Sequence, residues 1–203
     1  LIIIDESHRS LARSYRGVIE ELMKPGGALL GVTATPKRAD GSALSQVYQE
    51  IVFQMSLSDA IEQGWLSHLV CKRIKLKANF DQLKLKGTTD GGRDFDATEV
   101  CTILDGEDWE RTITDAWIEN AKDRKTIGFL PSVAFAYRLA EHMRSRGISA
   151  IAIDAKTDKF DRRKIIAGFG TEYQVLLNCA LLVEGVDLPV ADCCLSAAMT
   201  ASL

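Results

Sequence analysis

Near the start of the chain, Asp5 and Glu6 follow three isoleucines, and His8 stands three places after the first acid. Thr33 and Thr35 then flank Ala34 at the end of a second apolar run. Adjacent carboxylates at the end of a buried strand can divide work at a phosphate. One holds Mg2+, often through water, and the other orients or deprotonates an attacking water. His8 can hydrogen-bond toward the next strand's end, where threonine hydroxyls can relay the nucleotide state without carrying charge. The same acid pair also suits a plainer role, as a cap and first-turn carboxylates favouring a helix dipole.

The elements that must position these residues alternate. Leu1–Ile4 is a branched apolar run suited to a strand buried on both faces. Leu11, Tyr15, Val18, Ile19 and Leu22 recur at helical spacing over Arg9–Met23, and Lys24-Pro25-Gly26-Gly27 stops them. Ala28–Thr33 is a second strand, which completes a βαβ unit, a right-handed crossover in a parallel sheet. In the middle zone, the pattern predicts a short helix over Ser56–Gly64, a strand over Leu69–Leu76 and an exposed loop over Lys84–Asp96. Helical spacing returns over Asp108–Asn120. Strands then follow at Thr126–Leu130, Ile148–Ile153, Gln174–Cys179 and Asp192–Ala197, with helices at Ser132–Arg146 (Ser132 the cap, Gly147 the stop) and Lys159–Phe169. In such sheets ligands gather at the carboxyl ends of strands, where the acid pair falls.

The 203 residues, 46% apolar, suffice for one large or two small domains, and a net charge of −3 excludes a globally basic nucleic-acid binder. A local basic groove remains open. No apolar run reaches membrane-spanning length, so no membrane partner is expected and the reading places the chain in the cytoplasm. Cys71, Cys101, Cys179, Cys193 and Cys194 form no C-x-x-C pair and read as reduced core residues. Trp65, Trp109 and Trp117 read as core or interdomain packing, and Arg162 and Arg163 as a solvated helix face. His68 and His142 lack metal-ligand partners at useful spacing.

The string D-E-S-H at Asp5–His8, with G-V-T-A-T-P-K-R-A-D-G at Gly31–Gly41, resembles motifs II and III of the superfamily 2 helicases. The nearest likeness is to the XPB-like and restriction-translocase branch. It continues through S-L-S-D-A-I-E-Q-G-W-L (Ser56–Leu66), the motif IV region T-I-G-F-L-P-S-V-A-F-A (Thr126–Ala136) and Asp161-Arg162-Arg163. It closes on V-L-L-N-C-A-L-L-V-E-G-V-D-L-P (Val175–Pro189), similar to motif V. The resemblance implies an α/β chain made of two incomplete RecA-like domains, parallel sheets flanked by helices, of the P-loop NTPase fold. Residues 1–75 would be the later part of domain 1 with motifs II and III, 76–108 a linker or insert, and 109–203 domain 2 with motifs IV and V.

By the same resemblance, Asp5 would hold Mg2+ through water and Glu6 would activate the hydrolytic water. His8, Thr33 and Thr35 would couple hydrolysis to domain movement. Asn178, Glu184, Gly185 and Asp187 would lie where the second domain meets nucleotide and nucleic acid. Lys37 and Arg38, just past a strand end, are placed to touch a nucleic-acid backbone. Asn178 and Val183 stand where this branch often has threonine, so no hydroxyl contact carries over there.

No G-x-x-x-x-G-K-[ST] string occurs in the chain, and neither does the arginine-bearing motif that the family places after motif V. The expectation is a stretch that begins inside one domain and stops inside the next, inactive alone. ATP and Mg2+ are the implied cofactors. The implied partners are DNA rather than RNA, the remaining N- and C-terminal parts of the same motor, and restriction, repair or replication subunits. Two other functions fit the acid pair: a Mg2+-dependent nuclease, and a non-catalytic nucleic-acid or protein interaction module.

Overall fold

A computed structural model describes residues 1–35, 44–74, 85–87, 93–95, 99, 108–182 and 186–197. The chain divides into two compact units, Leu1–Arg73 with Thr88–Gly92, and Ile74–Gly87 with Arg93–Leu203. Among the described residues no helix is long and apolar enough to cross a membrane.

The first unit is built on a βαβ turn. Strand β1 (Ile2–Ile4) pairs in parallel with β2 (Leu29–Gly31), Ile4 lying opposite Gly31. A single 3-10 turn (Ser7–Arg9) and helix α1 (Arg13–Leu22) connect them. Ser7 N–H donates to Val32 O at 3.0 Å and Val32 N–H to Ile4 O at 2.9 Å, so the residues after β1 are stitched to the end of β2. Gly31 is required here, since a Cβ on it would stand 2.5 Å from the Tyr48 ring and 2.7 Å from Ser7 Cβ. That space lets the Tyr48 hydroxyl reach Ser10 Oγ, 2.7 Å away on a fully buried residue. Helix α2 (Leu57–Glu62) begins with a capping box. Ser56 Oγ accepts from Asp59 N–H at 3.1 Å, while Ser56 N–H donates to Asp59 Oδ2 at 3.2 Å.

The second unit holds a four-stranded, wholly parallel sheet. Its strands are β5 (Thr126–Phe129), β6 (Ala150–Ile153), β7 (Val175–Asn178) and β8 (Cys193–Ser196), in the order β6-β7-β5-β8. Helices α3 (Trp109–Ala121) and α4 (Val133–Ser145) carry Trp109, Ile113, Trp117, Phe135, Leu139 and Met143 into a core with Val175 and Leu177. Leu176 turns to the opposite face, where Ile165 and Ile166 of α5 (Lys159–Gly168), with Phe169 and Leu182, cover it. β7 is buried along its length, so its near-continuous apolar run is what a two-sided central strand requires. Ser132 caps α4, its Oγ accepting from Phe135 N–H at 3.1 Å, and Gly147 (φ 79°) takes the left-handed turn that ends it. The result is the α/β architecture of parallel sheets flanked by helices.

Several expectations are corrected. β1 is not covered on both faces, for Ile3 is 62% exposed and β2 is its one neighbour among the described residues. Of the strand expected over Leu69–Leu76, residues 69–74 are described and form no strand, and Leu69 and Val70 are exposed. Part of the loop expected over Lys84–Asp96 is instead an antiparallel hairpin, β3 (Leu85–Gly87) with β4 (Arg93–Phe95), and Phe95 packs on the second unit's core. Trp109 and Trp117 are core residues, whereas Trp65 is 75% exposed. Cys71 and Cys194 are exposed and Cys179 and Cys193 only partly covered, so these four are not core cysteines. Cys101 lies outside the described residues.

Candidate active site

In the first unit the acid pair stands at the carboxyl end of β1, where a parallel strand leaves its sheet. Asp5 is exposed, and its Oδ1 accepts Glu6 N–H at 2.8 Å. Glu6 adopts a left-handed backbone (φ 49°, ψ 46°), a conformation that costs a non-glycine residue ~1–2 kcal/mol. The turn that results starts the 3-10 helix and carries His8 to the end of β2. His8 Nδ1 lies 3.0 Å from Thr33 Oγ1, 3.3 Å from Thr35 Oγ1 and 3.3 Å from Glu6 Oε2. Thr35 N–H donates to Thr33 Oγ1 at 3.1 Å, which fixes that hydroxyl from its other side. Asp5, Glu6, His8, Thr33 and Thr35 are thus one connected polar group. Lys37 and Arg38 lie outside the described residues.

The donor set fits a hydrated magnesium ion. Among the described residues no three His, Cys, Asp or Glu side chains gather as a metal cage. Mg2+ does not ask for one: it keeps several waters and takes one or two carboxylates plus substrate phosphates. Asp5, with one oxygen engaged by Glu6 N–H and the side chain open to solvent, offers that kind of ligand.

In the second unit, Asn178 ends β7 and is fully buried. Its Nδ2 donates to Gly128 O at 3.0 Å, and its Oδ1 accepts from Leu181 N–H and Leu182 N–H, both at 3.2 Å. The amide therefore faces the protein rather than a cleft. It pins the turn that follows β7, in which Ala180 takes a left-handed backbone (φ 50°). Asp187 is exposed, and Glu184 and Gly185 lie outside the described residues.

Three supporting features escape a reading of local pattern. The Ser10–Tyr48 bond joins positions 38 residues apart, with no motif to announce it. Gly31 reads as part of an ordinary strand until the Tyr48 ring is seen above it. Arg162 does not stand on a solvated face. It is partly buried and its guanidinium donates to Asp154 O, Ala155 O and Thr157 O at 3.1, 3.3 and 3.1 Å, while Arg163 beside it is exposed.

Residues 109–202 match the family model described as "Helicase conserved C-terminal domain", and residues 1–38 match "Type III restriction enzyme, res subunit". The chain is similar to IRC3 of Saccharomyces cerevisiae, an ATP-dependent helicase by name. The two are 29% identical over 203 residues, covering 96% of this chain and 29% of that one. A mitochondrial ATP-dependent helicase of the same name from Schizosaccharomyces pombe is 31% identical over 199 residues, 95% of this chain and 32% of its own length. The EcoAI endonuclease subunit, a type I restriction enzyme from Escherichia coli, is 29% identical over 154 residues, 68% of this chain and 19% of its own. The chain spans about a third of the length of the two fungal relatives.

Proposed function

We propose that this chain, which belongs to the superfamily 2 helicases in their restriction-type branch, is the part of an ATP-dependent DNA motor that joins phosphate chemistry to movement. Glu6 orients and deprotonates the water that attacks the terminal phosphate, and Asp5 would hold the water shell of Mg2+. Bound there, Mg2+ would neutralise charge developing on the phosphate oxygens. The observation that carries the reading is the three-way approach to His8 Nδ1, with Glu6 Oε2, Thr33 Oγ1 and Thr35 Oγ1 all within 3.0–3.3 Å. One ring nitrogen cannot serve three oxygens at full strength. When Glu6 turns to a water or a phosphate, His8 is released to the threonines, and the end of β2 registers the change.

DNA as the track, and restriction, repair or replication subunits as partners, are parts of the same proposal. So is the division of labour by which the chain alone lacks the Gly-rich phosphate loop that would hold the triphosphate. The test uses the chain extended to include such a loop and the arginine-bearing motif, with His8→Ala and Thr33→Val variants. The measured quantity is DNA strand displaced per ATP hydrolysed. We expect that ratio to fall at least tenfold in either variant while hydrolysis persists. An unchanged ratio would remove His8 and Thr33 from the coupling path.

A further inference from the structure

The loop between β6 and α5, at the carboxyl end of the second unit's sheet, presents an aromatic ring that the motor chemistry does not use. Phe160 is 75% exposed in the first turn of α5. Arg163 and Lys164 follow it by three and four residues and so share its helix face. Lys156 precedes it in the loop and Lys159 adjoins it, and all four cations are exposed. Among the described residues, none of the four has an ion-pair partner.

The acids in the same stretch are mostly occupied. Asp154 Oδ1 accepts from Lys156 N–H and Thr157 N–H, both at 2.8 Å. Asp158 Oδ1 accepts from Phe160 N–H at 2.7 Å and Asp161 N–H at 3.4 Å. Asp161 is exposed, and among the described residues its carboxylate is not engaged by the loop. Arg162, with its three bonds to loop carbonyls, clamps the backbone from beneath. The loop backbone that carries the ring and its cations is therefore fixed, with little backbone ordering left to do on binding. In the sheet register Ile153 lies opposite Asn178, so this loop leaves the sheet beside the turn that Asn178 pins.

We propose that Phe160 is a stacking platform for an unpaired base of single-stranded DNA, with Lys156, Lys159, Arg163 and Lys164 along the flanking phosphates. An aromatic face takes any base, and cations around it, Arg163 and Lys164 on the same helix face, attract the backbone. A protein partner would favour the ring equally but gains nothing from four unpaired cations unless it is acidic. A polyanion with a π-face at every step satisfies both features. The inference rests on the motor reading only in taking nucleic acid as the ligand.

The experiment is fluorescence-anisotropy titration of the 203-residue chain with a labelled oligothymidylate, and with an abasic oligomer of equal length, over a salt series. Phe160→Ala is expected to weaken oligothymidylate binding roughly 5- to 100-fold, the size of one base–aromatic stack, while leaving abasic binding and the salt slope unchanged. Lys156→Ala with Lys159→Ala should flatten the salt slope instead, by about 0.7 for each phosphate no longer neutralised. Phe160→Trp should retain affinity, and its added emission should be quenched when bases are present. Since the ring is exposed, removing it leaves no cavity, and far-UV dichroism checks the fold. Equal binding of wild type and Phe160→Ala to oligothymidylate would overturn this inference and leave the motor reading intact. No binding of any oligonucleotide by wild type would overturn the nucleic-acid reading and this site together.

Discussion

Replacing Asn178 by alanine should destabilise the second unit markedly, and the structure sets the size. The side chain is fully buried and serves three backbone groups: Gly128 O, Leu181 N–H and Leu182 N–H. Leu181 N–H is only partly covered and can recover a water, whereas the bonds to Gly128 O and Leu182 N–H are buried. A stranded buried polar group costs ~1–3 kcal/mol, so two of them give about 4 kcal/mol as a central value. For a chain of this length that is a fall of ~8–16 °C in Tm. Urea unfolding followed by tryptophan emission is a suitable assay, because Trp109 and Trp117 are buried in the same core while Trp65 is 75% exposed and changes little. Asn178→Leu separates hydrogen bonding from packing, since it fills the volume but cannot serve the three groups. Both variants should lose stability. If Asn178→Leu unfolds at the wild-type urea concentration, or Asn178→Ala lies within ~0.5 kcal/mol of it, the three hydrogen bonds are not what holds this turn.

Two further outcomes are expected. Gly128→Ala places a Cβ against Leu177 Cδ2 inside the sheet's core and 3.2 Å from Leu130 Cδ2, and should cost ~1–3 kcal/mol in the same unfolding assay. The Ser56 hydroxyl and Ser56 N–H hold the Asp59 carboxyl below the usual carboxylate range. A lowered folded-state pKa means the acid's contribution to the α2 cap is present above that range and lost as pH falls through the folded value. Ser56→Ala should move the Asp59 titration, followed by carboxyl NMR, back up. An unmoved titration would contradict the capping box.

What the sequence makes legible is a matter of range. The second unit's parallel core is legible because the apolar run Val175–Leu177, with helical spacing between strands, is a local consequence of burial on both faces of a parallel sheet. The link from Asp5 and Glu6 through His8 to Thr33 is legible because strand ends in a βαβ unit share one edge, so spacing implies proximity. The rest depends on partners far along the chain. Composition alone suggests core or interdomain packing for Trp65 and a core place for the cysteines, but burial is decided by what packs against a residue, and exposure of a large apolar side chain leaves no local mark. The hairpin at Leu85–Gly87 and Arg93–Phe95 stays hidden because three-residue strands are too short for alternation to show. Arg162 reads as surface because its acceptors are backbone carbonyls, which carry no side-chain signature.

The most direct test of the central claim is the rate of phosphate release from ATP, in the presence of DNA, by the chain extended to include a Gly-rich phosphate loop and the arginine-bearing motif, compared with its Glu6→Gln variant. Gln keeps the shape and the reach toward His8 but cannot take a proton. A fall of ~10²–10⁴ in turnover is expected, with nucleotide affinity retained. Turnover within a few fold of the unaltered protein would show that the acid at the tip of β1 is not the base.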